Sequence, residues 1–354
     1  MYQDESGKWV CLSVGPATLD SHVNEYYQEA CTSGILSRSH RSPQFSALYE
    51  RLVLAFQHNQ LLPRDYAVLL FSSATECWQV LADSFPESQS HHLFNGSFGQ
   101  KWWERTKSIK PLLTTAQQFD INEVVNPTIL NTFNGILCLT QNETSNGTAI
   151  PVDSIVKWHN RYPEALLAVD ATSSMGGIQL PWSCADIWFA SVQKCFGLPA
   201  GLAVMLLSRR AVEYANHFNI TNRYNLLANA IQHYRNRQTT HTPNTANIYL
   251  LTRVLEERNS IQIIAERTRS QSDMLFDVLE AHPTLKPLIT NYLNRSQTII
   301  VIKTESPENW TKQLATEGLV VSSGYGAWKK NTFRIANFPT IKQEWLNLFI
   351  KQIN

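Results

Sequence analysis

Apolar residues along this chain fall into short unbroken runs separated by stretches with helical spacing. Runs of strand length lie at Tyr66–Phe71, His92–Phe94, Ile136–Leu139, Leu166–Val169, Ile187–Ala190 and Leu202–Leu207. A run apolar at every position suits a strand covered on both faces, whereas a strand with one wet face alternates. The stretches Thr75–Phe85 and 98–108 read as helices between such strands. This order predicts βαβ connections and an α/β fold with a mostly parallel sheet.

After residue 255 the texture changes. Ser260–His282 reads as a long amphipathic helix, apolar at Ile261, Ile264, Met274, Leu275, Val278 and Leu279. Short apolar runs follow at Thr298–Ile302, Leu319–Ser322 and Thr332–Ala336, with helical stretches at Trp310–Thr316 and Ile341–Ile353. The pattern predicts a large domain over 16–255 and a small C-terminal α+β domain over 256–354, with residues 1–15 packing on the latter. A length of 354 residues agrees with two domains.

Composition narrows the function. Thirty Lys and Arg against 29 Asp and Glu leave a net charge of +1, so no bulk charge favours a nucleic-acid partner. No apolar run approaches the roughly 18 residues of a membrane helix, so no membrane partner is expected. The start, MYQDESGKWV, lacks the basic and apolar regions of a signal peptide, and a cytoplasmic location is expected. The six cysteines are scattered and form no CxxC pair, which predicts reduced thiols and no metal site.

Ligands of a covered parallel sheet collect outside the carboxyl ends of its strands. The polar segments that follow strand candidates are Ser72–Glu76, Gln141–Gly147, Asp170–Ser174 and Ser191–Lys194. Neither GxGxxG nor GxxxxGK[ST] occurs, which removes the dinucleotide and P-loop readings. An aspartate and a lysine at two strand ends remain. Lys194 is flanked by Val192, Phe196 and Leu198, and desolvation lowers a lysine's pKa and frees it as a nucleophile. A carboxylate against a protonated ring nitrogen is the other half of pyridoxal phosphate chemistry. On spacing alone, a strand-end Asp and a surface Lys account for the same pattern equally well.

The chain resembles the class V aminotransferases of the pyridoxal-phosphate fold type I superfamily, most closely the phosphoserine aminotransferases. The resemblance rests on Val14-Gly15-Pro16-Ala17, Ser39-His40-Arg41, Asn142-Glu143-Thr144, Val169–Ser174, Ala190-Ser191-Val192-Gln193-Lys194 with the following GLPAGLAV, and Phe333-Arg334. It implies a mostly parallel seven-stranded sheet covered by helices, pyridoxal 5'-phosphate as cofactor, amino-acid and 2-oxo-acid substrates, and a homodimer with shared active sites.

Carried over by residue, the resemblance makes Lys194 the lysine that holds the cofactor and moves a proton, and Asp170 the partner of its ring nitrogen. It assigns Gln193 to the cofactor's phosphate region and Thr144 to its phenolic side. Ala74 and Thr75 receive the phosphate at a helix start, where Thr75 also reads as an N-cap. Phe98 stands where the family has an aromatic ring on the cofactor, usually Trp. His241 and Thr242 match a loop that reaches the phosphate from the neighbouring subunit, with His241 in place of the usual Asn. Arg334 corresponds to the arginine for the substrate α-carboxylate, and His40 and Arg41 to a pair at the anionic pocket.

The chain departs from the phosphoserine pattern at Ala327 and Trp328, where the family has a His-Arg pair for the substrate phosphate. Lys329 and Lys330 follow as alternative cations. The expected reaction is amino transfer from glutamate to 3-phosphohydroxypyruvate in serine biosynthesis. The alternatives are a class V transaminase of the alanine or serine–glyoxylate type, or a non-catalytic fold relative. A cysteine desulfurase is disfavoured, because Ser322–Lys330 holds no cysteine.

Overall fold

A computed structural model describes residues 9–125, 132–218, 220 and 223–354. Its centre is a seven-stranded sheet built from β1 (Ala67–Phe71), β2 (Ser90–Phe94), β3 (Thr114–Gln118), β4 (Ile136–Thr140), β5 (Leu166–Asp170), β6 (Ile187–Ser191) and β7 (Ala203–Leu207). The spatial order is β1-β7-β6-β5-β4-β2-β3. Strand β7 runs antiparallel to both neighbours, and every other pairing is parallel. The carboxyl ends of β1, β2, β4, β5 and β6 therefore share one edge of the sheet.

The unbroken apolar runs are explained by two cores, one on each face. Val68, Leu137, Leu139, Leu167, Val169, Trp188, Val204 and Leu206 enter one core, and the residues between them enter the other. The first face is covered by the helices Pro43–Asn59 and Thr245–Glu257. The second is covered by α1 (Ala74–Ser84) and α2 (Ser97–Ile109), among others. Burying both faces needs a side chain of the same kind at every position, so alternation disappears.

A third core joins Val10, Leu12, Val14 and Ala17 to residues from Leu275 to Ile353. It surrounds four strands, β8 (Lys286–Pro287), β9 (Ile299–Lys303), β10 (Ser322–Ser323) and β11 (Thr332–Ala336), in the order β8-β9-β11-β10. The long helix Ile261–Ala281 packs beside them, bounded by Ser260 and His282. The expected strand Leu319–Ser322 is two elements, because its halves find different partners. Leu319–Val320 pairs with Val10–Cys11, and Ser322–Ser323 pairs with β11. Residues 1–8, part of the segment expected to pack here, lie outside the described residues. Among the described residues, no helix is long and apolar enough to cross a membrane.

Candidate active site

Asp170 ends β5 and is buried. Its Oδ1 accepts from the N–H of Thr172 at 3.0 Å and the Thr172 hydroxyl at 2.6 Å, and its Oδ2 accepts from Trp78 Nε1 at 2.9 Å. Burial raises its pKa, opposed by these hydrogen bonds and by Lys194. Three donors hold the ionised form in a place that penalises charge.

Lys194 lies in the turn after β6 and is equally buried. Its Nζ donates to the Val14 carbonyl at 2.7 Å, with Thr144 Oγ1 at 3.5 Å. It forms no ion pair among the described residues. Burial first, then the nearby Arg334, lowers its pKa to about 8, as the apolar flanks predict. A Cβ on Gly15 would stand 3.1 Å from Nζ, so the glycine leaves the room the amine uses.

The turn between β1 and α1 differs from expectation. The N-cap is Ser73, whose Oγ accepts from the Glu76 N–H, and Thr75 is already inside the helix. Serine caps here because its short side chain reaches the third helical N–H, while Ala74 and Thr75 have helical backbone. The Ala74 N–H is taken by Ser191 Oγ at 2.7 Å. The N–H of exposed Thr75 has no partner among the described residues, which leaves an anion-attracting donor at a helix start.

At α2 the opposite holds. Glu143, buried, accepts from the N–H groups of Phe98 and Gly99 at 3.1 and 3.0 Å, while Ser145 Oγ takes the Ser97 N–H. The helix start that carries Phe98 is thus filled by the protein's own carboxylate. Phe98 is thereby fixed with its ring centroid 5.9 Å from Lys194 Nζ.

Arg334, in β11, is buried and held by backbone carbonyls. Its Nε donates to Ser323 O and its Nη1 to Thr144 O, both at 2.9 Å. It makes no ion pair among the described residues, and burial lowers its pKa to about 10. Tyr325 stacks on Phe98 with ring centroids 5.4 Å apart, and the Arg334 guanidinium lies 5.4 Å from the Tyr325 ring. Lys101 Nζ donates to Tyr325 Oη at 2.6 Å.

The structure therefore gathers Lys194, Asp170, Thr144, Phe98 and Arg334, with Ala74 and Thr75 at the end of β1. Gln193 adjoins them, but its described hydrogen bond is through its carbonyl, which accepts from the Ala17 N–H at 2.8 Å. His40, Arg41, His241 and Thr242 form a second group. Thr242 Oγ1 is 3.5 Å from His40 Nδ1, Arg41 bonds Gln238, and His241 stacks on Tyr224. Burial, then Arg41, His233 and His241, lowers the His40 pKa. No described contact links the two groups within one chain. Lys329 and Lys330 are exposed, and no described side-chain contact ties either to the first group.

Sequence reasoning gave no role to Trp78, Thr172, Ser191, Glu143, Tyr325 or Lys101. A signal existed for Thr172, since Asp-x-Thr favours a local turn in which the carboxylate accepts from residue i+2. Trp78 and Lys101 had none, because their partners lie 92 and 224 residues away.

Residues 105–332 match the aminotransferase class-V family. The chain belongs to the class V aminotransferases. A phosphoserine aminotransferase of Rhodococcus opacus (strain B4) is 27% identical over 337 residues, covering 91% of this chain and 88% of that protein. The crystal structure of a phosphoserine aminotransferase from Cytophaga hutchinsonii ATCC 33406 superimposes with a TM-score of 0.91 at 30% identity, covering 97% of this chain and 98% of that one. An alanine–glyoxylate aminotransferase from Nostoc sp. shares the fold, with a TM-score of 0.83 at 19% identity over 98% of this chain and 94% of that one.

Class V aminotransferases depend on pyridoxal phosphate, and this aminotransferase has the residues to suit it. A buried carboxylate without an ion-pair partner matches a protonated ring nitrogen. A buried amine without an acid matches a carbonyl it can attack. The open Thr75 N–H at the start of α1 matches a phosphate.

Proposed function

We propose that this aminotransferase makes phosphoserine and 2-oxoglutarate from 3-phosphohydroxypyruvate and glutamate, the transamination step of serine biosynthesis. The observation that carries the reading is Arg334, a buried guanidinium anchored by two carbonyls and lacking any acidic partner among the described residues. Such a group is an arginine kept open for a substrate carboxylate. The phosphoserine assignment is supported by the relatives that share nearly the whole chain.

In this reading Lys194 holds the cofactor, then takes and returns the proton at the substrate Cα. Its lowered pKa leaves a usable fraction neutral near pH 7 to 8. Asp170 sustains the positive charge on the ring nitrogen, and Phe98 packs on the ring. Thr144 serves the phenolic side, Gln193 the phosphate region, and Thr75 donates to the phosphate at the helix start, where Ala74 lines the turn with its own N–H held by Ser191. When bound, pyridoxal phosphate supplies the electron sink that makes the Cα proton labile. His40, Arg41, His241 and Thr242 complete the site of a neighbouring subunit in a homodimer. A cytoplasmic location and a division into 16–255 and 256–354, the latter joined by residues 1–15, belong to the same proposal.

The test is a steady-state comparison of phosphoserine with serine as amino donor. A kcat/KM for phosphoserine at least about 100-fold higher is expected if a second charged contact reads the phosphate. Equal values would overturn the phosphoserine assignment and favour a transaminase for neutral amino acids.

A further inference from the structure

Ala327 and Trp328 carry no charge, and exposed Lys329 and Lys330 make no described contact with the site. A different, exposed cation lies beside Phe98 and Tyr325. Lys101 lies one helical turn after Phe98 on α2, with Nζ 5.7 Å from the Phe98 ring and 5.0 Å from the Tyr325 ring. Its only described hydrogen bond is to Tyr325 Oη, and it forms no ion pair among the described residues.

We propose that Lys101, held by Tyr325, reads the distal acidic group of the substrates and sets the preference for amino acids with a second anion. The inference rests on Arg334 binding the α-carboxylate. Both cations face Tyr325, with Lys101 Nζ 5.0 Å and the Arg334 guanidinium 5.4 Å from its ring, so they are no more than about 10 Å apart. A gap within that bound can be spanned by a short dianion held at both ends by charge-assisted hydrogen bonds of about 2.8 Å. An ammonium has three protons and Tyr325 takes one, which leaves two for a phosphate or a carboxylate. The hydrogen bond to Tyr325 Oη holds the ammonium of an otherwise flexible side chain. Lysine reads such a group as a point charge, so phosphate and carboxylate are both accepted, as a transaminase using phosphoserine and glutamate at one site requires.

The experiment compares kcat/KM for glutamate against glutamine, and for phosphoserine against serine, in the holoenzyme and in Lys101→Met, Lys101→Arg and Tyr325→Phe. Both charged-to-neutral ratios should fall about 30-fold in Lys101→Met, mostly through KM, and recover in Lys101→Arg. Tyr325→Phe should fall in between. Calorimetry with glutarate, an unreactive diacid, should show the same order of affinities without turnover. Unchanged ratios in Lys101→Met, or an equal loss for charged and neutral partners, would overturn the proposal. A wild-type enzyme that prefers serine to phosphoserine but glutamate to glutamine overturns the phosphoserine reading alone, and Lys101 is then judged on glutamate. A wild-type enzyme with neither preference overturns Lys101 as well.

Discussion

Trp78 donates its indole N–H to Asp170 Oδ2 at 2.9 Å. The tryptophan sits on α1, the helix whose start is proposed for the cofactor phosphate, so in that proposal one helix would serve both ends of the ligand. Replacing it by phenylalanine keeps most of the apolar packing and deletes a hydrogen bond to a charge, worth about 1.5–3 kcal/mol. Trp78→Phe should weaken pyridoxal phosphate binding at least about tenfold. A spectroscopic titration of the cofactor-free protein would measure this, and unaltered affinity would show that the bond does not tune the carboxylate.

Asp170→Asn should fold and still turn over poorly. The amide oxygen can keep the Thr172 contacts, but its N–H₂ then faces the Trp78 N–H, and a neutral amide cannot sustain a protonated ring nitrogen. A loss of kcat of at least about 100-fold is expected, with a thermal midpoint within a few degrees of wild type. Near-normal kcat would mean that the ring nitrogen is held elsewhere.

Lys194 makes the stability of the cofactor-free protein depend on pH. The unfolded side chain titrates near 10.4 and the folded one at about 8, so between these values the unfolded chain binds the extra proton. Stability therefore rises with pH through that window, and the penalty of burying the charge is fully present below pH 8. It amounts to about 3 kcal/mol, offset by about 1 kcal/mol from the bond to Val14 O. Lys194→Met should accordingly be about 2 kcal/mol more stable than wild type at pH 7, a gain that fades towards pH 10. Lys110, also lowered to about 8 by burial, titrates in both proteins and cancels in the difference. Urea unfolding of the two cofactor-free proteins at pH 7 and 10 checks this, and a pH-independent difference would refute it.

Much of this architecture was legible because burial on both faces leaves a direct mark, the unbroken apolar run. The exception is β3, Thr-Thr-Ala-Gln-Gln, an edge strand that exposes most of its residues, so no apolar signal is needed. The helix Pro43–Asn59 has a readable start in Ser42, whose Oγ caps Phe45 N–H, with Pro43 in the first turn. In the candidate site, Asp170 and Lys194 were visible because one ends a strand and the other lies in the turn just past one. Tyr325 and Lys101 were not, since stacking across two cores depends on how distant segments dock. The resemblance located Glu143 within a motif but left its task unstated, and the geometry identifies it as the cap of α2.

Glu143→Ala removes the acceptor of the Phe98, Gly99 and Ser145 N–H groups. Buried donors left unpaired cost about 1–3 kcal/mol each, partly recovered by entering water. Burial raises the Glu143 pKa and the hydrogen bonds oppose it, so removing the charge returns part of the loss. A net destabilisation of about 2 kcal/mol is expected, together with a change in near-ultraviolet circular dichroism from the Phe98–Tyr325 stack. Denaturant unfolding at pH 7 would reveal a cap of no consequence if the midpoint did not move.

The separation of His40, Arg41, His241 and Thr242 from Lys194 within one chain leads to a test of the shared site. Lys194→Ala and Arg41→Ala should each inactivate or nearly inactivate the proposed homodimer. In a mixed dimer, the chain that keeps Lys194 receives Arg41 from its partner, so one of the two sites is wholly wild type. Random re-pairing of equal amounts makes about half of the dimers mixed, and the mixture should reach about a quarter of wild-type activity. If Arg41 acted within its own chain, each site of the mixed dimer would still carry one defect, and re-pairing would restore nothing. Activity after co-dissociation and reassembly separates these outcomes, because only a residue contributed across the interface can be supplied by the other variant.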